Sequence, residues 1–371
     1  MRFLEVLKGL DWVLLLLVLS IQILGAFAVY SASVGEGQLS LFKKHILSLL
    51  IGWLIILAIA REKFRNVLDL SLYIYLFNLL LLVMVLLVGK EVYGARRWLS
   101  LGFINIQPSE FMKLSLLLLT AYILPYINSL RDRKLFLLVV AYAIPTLITL
   151  KQPDLGTSAT YLVPLIAMLT LKNIKLRYYI LTGLAFVLCS PLLWHLLKDY
   201  QKKRILAVID PYSDYLGSGY QLIQSVIAIG SGGITGKGFL KGTQAQLMFL
   251  PEVHNDFIFS LIGEELGFLG TFTLVSLILL FLLRLLSYSL MVLTRPELFF
   301  VVGAFALLMF QYSVNILMTL GLFPVVGIPL PFVSLGGSSI LTFSFIIGLL
   351  MSIYREKKEK NFIVGKEVPY E

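Results

Sequence analysis

The sequence has few charged residues, one cysteine and three histidines. Only 14% of its 371 residues are charged, whereas a soluble globular chain carries about 25%. The single Cys189 excludes a disulfide framework, and His45, His195 and His254 are too scattered for a metal-ligand motif. Because 58% of the residues are hydrophobic, we expect a polytopic membrane protein.

The net charge of +10 would suggest nucleic acid binding in a soluble protein. In a membrane protein it is expected to reflect basic loops that face anionic lipid, so we expect no nucleic acid partner. Asp11 begins an apolar run of spanning length, and no small-residue cleavage site interrupts it. No cleavable signal peptide is therefore predicted.

Apolar runs of roughly 20 residues, enough to cross a bilayer, recur along the chain. They predict an all-α polytopic membrane protein with about ten transmembrane helices in a single integral membrane domain, residues 1–371. A large extracytoplasmic loop (198–255) joins helices seven and eight, and a cytoplasmic tail covers 355–371. The predicted spans are about 12–31, 45–60, 67–88, 109–128, 135–150, 157–171, 178–197, 256–283, 298–320 and 333–354.

Lys and Arg are distributed unevenly between the loops. With the N-terminus inside, eighteen of the 31 basic residues lie in inner segments and six in short outer loops. Because basic residues in short loops favour the cytoplasm, both termini are predicted to be cytoplasmic, in a multi-pass protein of the cytoplasmic (inner) membrane. The loops at 90–108, 198–255 and 321–332 then face outside, and they hold the motif-like segments. We expect the chemistry on that face.

Asp256 stands at the start of the eighth predicted span, in PEVHNDFIFSLIGEELG (251–267). An ionisable group at a membrane boundary is costly and is usually retained for function. Helix capping by Asp256 is the alternative. On a helix, Asp256 shares a stripe with Ser260, Gly263 and Gly267, a small-residue face that either lines a cavity or packs closely.

Three further acids are predicted to be structural or conformational. Glu264 and Glu265 follow Asp256 in the same predicted helix. The eight residues from Asp256 to Glu264 span about 12 Å along the axis, whereas a glycosidase-type carboxylate pair needs roughly 5–9.5 Å. Asp154 follows Pro153 near the start of the sixth span, where helix capping would explain it.

Several residues suit an anionic ligand. Lys113 follows Glu110 at i,i+3, so the two share a helix face. Either they neutralise each other as the helix enters the membrane, or Lys113 binds an anionic head group with Glu110 orienting it. Arg204, in the long loop, is either solvated or a bidentate phosphate ligand. Trp98 follows Arg97, a composition typical of an interfacial anchor.

Two glycine-rich segments are candidates for the wall of a site. GSGGITGKG (230–238) fails the Walker pattern, because Ser231 and Gly238 stand where Gly and Ser or Thr are needed. It is either a flexible outer loop or a backbone-lined approach to a phosphate, with Lys237 supplying charge. GLFPVVGIPLPFVSLGGSS (321–339) is irregular backbone among apolar spans, which is tolerated where it is buried or lines a wet cavity. Its predicted substrate-binding residues are Ser334, Gly336 and Ser338.

Together these segments resemble the SEDS family (shape, elongation, division and sporulation). The resemblance is carried in order from residue 94 to residue 339 by GARRWLSLG, QPSEFMKL, KQPDLGTS, GYQLIQSVIAIGSGGITGKG, FLPEVHNDFIFSLIGEELG and PVVGIPLPFVSLGGSS. Jointly these strings are highly specific, and the ten-span layout covers almost the whole chain. The elongation branch is favoured over the division branch, because Val325 and Val326 stand where the division branch usually has a lysine.

The resemblance implies a peptidoglycan glycosyltransferase that polymerises lipid II into glycan strands on the outer face of the cytoplasmic membrane. It implies a class B penicillin-binding transpeptidase as partner, the nascent glycan strand as product, and other membrane proteins of the elongation complex. The family's essential aspartate falls on Asp256. Its tryptophan falls on Trp98, and its glutamate and lysine fall on Glu110 and Lys113.

The mechanism that follows is a hypothesis. Asp256 acts as the general base that takes the proton from the 4-hydroxyl of the acceptor sugar. Lys113, Arg204 and Lys237 stabilise the pyrophosphate leaving group, and displacement at an α-linked donor gives a β-1,4 linkage with inversion. No motif requires a cofactor, although a divalent cation (Mg²⁺ or Mn²⁺) bridging the pyrophosphate is compatible with this chemistry.

The alternative function is a lipid II flippase, since charged residues near a cavity also suit transport of a lipid head group. A flippase needs polar positions open to both leaflets. Here the motifs fall almost wholly on one face, and no chain of acids crosses the bilayer, so the polymerase is favoured.

Overall fold

In a computed structural model the chain forms a bundle of long helices. The structure describes residues 8–92, 95–100, 105–127, 129, 131–172, 176–214 and 217–366. The helices in chain order are α1 (Trp12–Gly35), α2 (Leu39–Ile59), α3 (Phe64–Asp69), α4 (Ser71–Val88), α5 (Pro108–Ile123), α6 (Arg133–Lys151), α7 (Leu155–Thr170), α8 (Leu176–Leu196), α9 (Asp199–Ile209), α10 (Ser218–Ser231), α11 (Thr243–Gln246), α12 (Ile258–Ser287), α13 (Arg295–Thr319) and α14 (Gly337–Lys366). Short 3-10 helices lie at Leu124–Tyr126, Pro211–Asp214 and Tyr288–Leu290.

Within the described ranges, seven helices are long and apolar enough to cross a membrane, by length and composition. They are α1, α2, α4, α6, α12, α13 and α14, and α7 is a shorter apolar helix. Each of the ten predicted spans coincides with a helix of the structure. The helical, polytopic membrane fold is therefore confirmed, while the count of ten spans stays a prediction.

Several predicted boundaries differ from the structure, most clearly in the last helix and in the long loop. The last helix begins at Gly337 rather than at 333, and it continues through the first part of the predicted tail. Residues 367–371 of that tail lie outside the described residues. The predicted long loop, 198–255, holds three helices, α9 to α11.

A small antiparallel sheet precedes α5, where the sequence predicted only a loop. β1 (Lys90–Val92) pairs with β2 (Ala95–Ser100), which pairs with β3 (Asn105–Ile106). Trp98 faces Lys90 across the ladder. The strands are short and their charged residues interrupt the alternation by which strands are recognised. Residues 93–94 and 101–104, which include parts of the first motif, lie outside the described residues.

The core of the bundle is built by α5, α13 and α14. In the membrane-spanning part of α13, 61% of the residues are buried, and in that of α14, 78% are buried. In α2 and in α6 the buried fraction is 22%. Nearly all of α5 is buried, between α4, α13 and α14. The peripheral helices instead turn large apolar side chains outward, as expected for surfaces that face lipid.

Helix α12 is broken at Gly267, whose backbone angles (φ 65°, ψ −160°) are not helical. The break leaves carbonyl groups before it and N–H groups after it without helical partners. The glycine-rich turn that follows α10 supplies those partners. The four hydrogen bonds are Lys237 N to Glu264 O (2.9 Å), Gly238 N to Glu265 O (3.0 Å), Phe268 N to Gly233 O (2.8 Å) and Leu269 N to Ile234 O (3.0 Å).

This arrangement explains the small residues on both sides. A Cβ at Gly267 would lie 2.3 Å from Gly236 N, and one at Gly232 would lie 1.9 Å from Gly263 O. The close packing predicted for the Gly263 and Gly267 face is confirmed. The segment 230–238 is a hydrogen-bonded turn, so its interpretation as a flexible loop is wrong.

Substituting Gly267 by alanine is expected to destabilise the protein. The residue needs a left-handed φ, which costs about 1–3 kcal/mol for other residues, and the added Cβ would overlap backbone atoms. The matched control is Gly230→Ala, because Gly230 is helical and a Cβ there meets no atom within 4 Å. Thermal unfolding in detergent should show a lower midpoint for Gly267→Ala alone. Equal midpoints for both variants would contradict the packing described.

Candidate active site

Asp256 lies in the turn of residues 251–257, one residue before the N-cap of α12. Its backbone N–H donates to the carbonyl of Glu252 at 3.2 Å, and its side chain is partly buried. The N-cap residue of α12 is Phe257, and no side chain caps that helix. The alternative in which Asp256 serves as a helix cap is therefore wrong.

Asn315 ties this turn to the rest of the site. Its buried side-chain amide, on α13, donates to the carbonyl of Asp256 at 3.0 Å and to the carbonyl of Ile328 at 2.8 Å. One amide thus joins three parts of the chain. The sequence analysis missed Asn315, although an amide in the middle of an apolar span indicates a hydrogen bond to another part of the protein.

The irregular segment 321–336 forms one wall. Gly327 (φ +72°) faces Asp256, since a Cβ there would lie 3.4 Å from Asp256 Oδ2. Farther along, Val333 packs on Gly25, near the middle of α1: a Cβ at Gly25 would lie 2.7 Å from Val333 Cα. The segment therefore reaches the depth of the α1 midpoint and is enclosed by protein there, which satisfies the condition for irregular backbone among apolar spans.

The predicted wall residues lie in or beside this segment. The hydroxyl of Ser334 accepts from the N–H of Leu330 at 2.8 Å, and that of Ser338 accepts from the N–H of Gln107 at 2.9 Å. The carbonyl of Gly336 accepts from Ile340 N at 2.8 Å. These contacts fix the backbone of the wall, and substrate binding by Ser334, Gly336 and Ser338 stays a prediction.

The surroundings of Asp256 favour its neutral form. Loss of solvent raises the pKa of Asp256 to about 7, and the negative charges of Glu252 and Asp154 act in the same direction. The positive charges of Arg204 and His254 act in the opposite direction. A carboxyl group with a pKa near neutrality is suited to proton transfer.

Arg204 lies on α9, partly buried, with its guanidinium carbon 5.9 Å from the centre of the Tyr200 ring. Since its charge lowers the pKa of Asp256, the structure brings this predicted phosphate ligand into the electrostatic range of the carboxylate.

Asp154 caps α7, as predicted. Its Oδ1 accepts from the N–H of Thr157 at 3.0 Å, and its Oδ2 accepts from the Thr157 hydroxyl at 2.9 Å. Arg97 donates to the carbonyl of Gln152 at 3.0 Å and to the carbonyl of Pro153. The arginine interpreted as part of an interfacial anchor thus holds the turn before α7, a role that sequence reasoning missed. Trp98, next to it in β2, is partly buried.

Lys113 and Glu110 form an ion pair inside the bundle. Lys113 Nζ lies 2.6 Å from Glu110 Oε1, and the side chains are 1% and 3% exposed. The same nitrogen lies 5.8 Å from the centre of the Phe343 ring. The geometry corresponds to the self-neutralising pair, and substrate binding by these two residues stays a prediction.

Lys237 and the deeper acids stabilise the turn that repairs α12. Lys237 Nζ lies 2.6 Å from Glu264 Oε1 and donates to the Thr243 hydroxyl at 2.9 Å. Glu265 accepts from the Ser31 hydroxyl of α1 at 2.5 Å. These contacts agree with a structural role for Glu264 and Glu265. Because of the contact with Glu264, the Lys237 ammonium already has a carboxylate partner.

Among the described residues, no group of three or more His, Cys, Asp or Glu side chains is placed to hold a metal ion. The binding of Mg²⁺ or Mn²⁺ with the substrate's pyrophosphate stays a prediction.

Comparison with known proteins gives consistent matches. Residues 11–359 match the family model described as cell cycle protein, of the FtsW, RodA and SpoVE type. The chain is 39% identical to "Peptidoglycan glycosyltransferase MrdB" of Escherichia coli K12, with 94% of each chain covered. It is 33% identical to "Probable peptidoglycan glycosyltransferase FtsW" of Thiomicrospira cyclica, with 95% and 93% covered.

Two solved structures resemble the fold. One, described as "Structural coordination of polymerization and crosslinking by a peptidoglycan synthase complex", has a TM-score of 0.80 at 34% identity and covers 94% of this chain and 98% of that chain. The other is the rod shape determining protein RodA of Thermus thermophilus, with a TM-score of 0.71 at 28% identity, covering 94% and 97%.

Removing one member of the Lys113–Glu110 pair is expected to destabilise the protein. Removing one partner of a buried ion pair leaves an uncompensated charge and costs about 3–5 kcal/mol, whereas apolar replacement of both partners is close to neutral. Lys113→Met should therefore lower the unfolding midpoint in detergent, and Lys113→Met combined with Glu110→Met should restore it.

The control for this comparison is Arg96→Met, because Arg96 and its partner Glu91 are 50% and 57% exposed and such pairs contribute little. A Lys113→Met protein as stable as the Arg96→Met protein would show that the buried pair does not exist in solution.

Proposed function

This chain belongs to the cell cycle protein family of FtsW, RodA and SpoVE, and on that premise we propose that it is a peptidoglycan glycosyltransferase of the RodA type. Its substrate is lipid II, which it polymerises into β-1,4 glycan strands for cell elongation and shape. The relative with 39% identity carries the glycosyltransferase name. The observation that carries the mechanism is Asp256, a partly buried carboxyl group with a pKa of about 7.

Asp256 acts as the general base. A sugar hydroxyl is a weak nucleophile, so its proton must leave as the new bond forms. The Asp256 carboxylate takes the proton from the 4-hydroxyl of the acceptor, and the oxygen attacks the anomeric carbon of the donor. The bond to the pyrophosphate breaks in the same displacement, which inverts an α-linked donor to a β linkage.

Arg204 is the cation that we assign to the leaving pyrophosphate. The ammonium groups of Lys113 and Lys237 are each paired with a glutamate at 2.6 Å. Arg204 is partly buried, and its charge reaches Asp256. A guanidinium binds phosphate oxygens in bidentate geometry, and it stabilises the charge that develops on the leaving group.

The backbone beside Asp256 leaves room for a substrate. Gly327 has no side chain to cover the carboxylate, and its positive φ favours glycine there. The carbonyl groups of Asp256 and Ile328 are fixed by Asn315. Because these hydrogen bonds fix the backbone, the Asp256 carboxylate needs little change of position when the acceptor sugar binds.

We place this site on the outer face of the cytoplasmic membrane, with both termini in the cytoplasm, because of the distribution of Lys and Arg in the short loops. The partner that we propose is a class B penicillin-binding transpeptidase. A solved structure with a TM-score of 0.80 is described as a complex that coordinates polymerization and crosslinking, and this supports a crosslinking partner.

Asp256→Asn is expected to lower lipid II polymerisation by about 10²–10⁴-fold, the usual contribution of a general base. The amide keeps the shape of the side chain and removes its basicity. The assay uses the purified protein in complex with its transpeptidase, with penicillin present so that crosslinking is silent. The matched control, Glu91→Gln, removes an exposed carboxylate that is 57% accessible, and it should polymerise like the wild type.

Undiminished glycan synthesis by a folded Asp256→Asn protein would overturn the assignment of the base. If neither the wild type nor the variant makes glycan, and the wild type moves lipid II between the leaflets of liposomes, the flippase alternative replaces the polymerase.

A further inference from the structure

A separate cavity lies at the far end of α5 from the active site. The N-terminal end of α5 contacts the site wall through Gln107 and Ser338, and the helix ends at Ile123, about 24 Å away along the axis. The cavity there has a volume of about 310 Å³. Its lining residues are Arg65, Tyr122, Ile123, Tyr126, Lys134 and Leu137.

One side of the cavity is basic. Arg65 forms an ion pair with Asp69 at 3.0 Å, but the two side chains are 58% and 49% exposed, and such surface pairs are weak. Hydrogen bonds to Tyr126 and then to Asp69 raise the pKa of Arg65, so it is charged at every relevant pH. Lys134 Nζ lies 5.9 Å from the centre of the Tyr126 ring. Tyr126 therefore contacts both cations and brings two positive charges to one opening.

The other side of the cavity is apolar and continues onto a lipid-facing surface. Ile123 and Leu137 line it. Two turns beyond Leu137 on the same face of α6, Ile144 is also exposed. The adjoining surface of α6 exposes Phe136, Val139 and Leu147, each more than half. Since α6 has the length and composition of a membrane span, the basic side lies at one end of a face expected to contact acyl chains.

The floor of the cavity is held in place by a third basic residue. Lys172 Nζ donates to the carbonyl of Pro125 at 3.0 Å and to the carbonyl of Ile127 at 2.8 Å. These bonds fix the 3-10 turn that carries Tyr126. The opening is thus formed before any ligand arrives, and Lys172 is a structural residue rather than a ligand.

We propose that this cavity binds the head group of an anionic phospholipid from the leaflet on that side. The phosphate lies between Arg65 and Lys134, and the acyl chains follow the exposed face of α6. Basic pockets between membrane helices suit acidic head groups, whereas a free anion would gain nothing from the apolar wall. By the positive-inside pattern this is the cytoplasmic leaflet. The site is independent of the glycosyltransferase activity.

The test is native mass spectrometry of the purified full-length protein, titrated with phosphatidylglycerol or phosphatidylcholine. The variant is Arg65→Gln combined with Lys134→Gln. The matched control is Arg131→Gln combined with Arg133→Gln, which removes the same charge from exposed neighbours that do not line the cavity. A hydrogen bond from a cavity side chain to the lipid phosphate is expected to contribute about 1 kcal/mol, or roughly fivefold in affinity. Arg131 and Arg133 lie outside the cavity lining and make no such bond in this proposal.

We expect phosphatidylglycerol binding to weaken by roughly 25-fold in the cavity variant and by less than about twofold in the control, with little phosphatidylcholine bound by either. Equal weakening in both variants would mean that general surface charge causes the effect, and it would contradict the proposed site. Unchanged binding in the cavity variant would contradict it too. Tight binding of free glycerol phosphate by the wild type would show an anion site instead of a lipid site. Equal unfolding midpoints without lipid establish that both variants are folded.

Discussion

Backbone polar groups surrounded by apolar helices must find partners within the protein, because lipid offers none. Two interruptions of the helical bundle follow from this constraint. At Gly267 the broken α12 exchanges hydrogen bonds with the glycine-rich turn after α10. Near the active site, Asn315 supplies one amide to the carbonyls of Asp256 and Ile328. In both places irregular backbone is hydrogen-bonded within the protein, and both lie on the elements that carry or flank Asp256.

The proposed chemistry at Asp256 depends on this hydrogen-bonded backbone. A turn held by buried hydrogen bonds keeps Asp256 at the edge of the packed interior, where loss of solvent raises its pKa to about 7. In open solvent the same carboxyl would be ionised at neutral pH but too weak a base. The negative charge of Glu252 also raises this pKa, and the positive charge of Arg204 lowers it. Lys113 and Glu110 instead form an ion pair inside the bundle, so the Lys113 ammonium already has a partner.

The sequence predicted the helices well because apolar runs of spanning length are a local signal. Asp154 was also found from a local pattern, as a helix cap. Asp256 was selected from a local pattern as well, as an acid at a membrane boundary, and its role stays a prediction. The contacts of Asn315 and Arg97 were missed because they join residues 59 and 55 positions apart, which no local pattern encodes. The break at Gly267 was missed for the same reason, since the turn that pairs with it, Gly233 to Gly238, belongs to an earlier part of the chain.

The proposed role of Asp256 as a base depends on the surroundings that raise its pKa. Its titration can be followed directly from infrared difference spectra between the wild type and Asp256→Asn across the pH range. Because a raised pKa keeps the carboxyl protonated, the ionised base is lost as the pH falls through about 7, and polymerisation should fall over the same interval. A carboxyl band that titrates near 7 is the predicted result. Titration near the ordinary value of 3.8, with a rate that is flat between pH 5 and pH 8, would contradict the account.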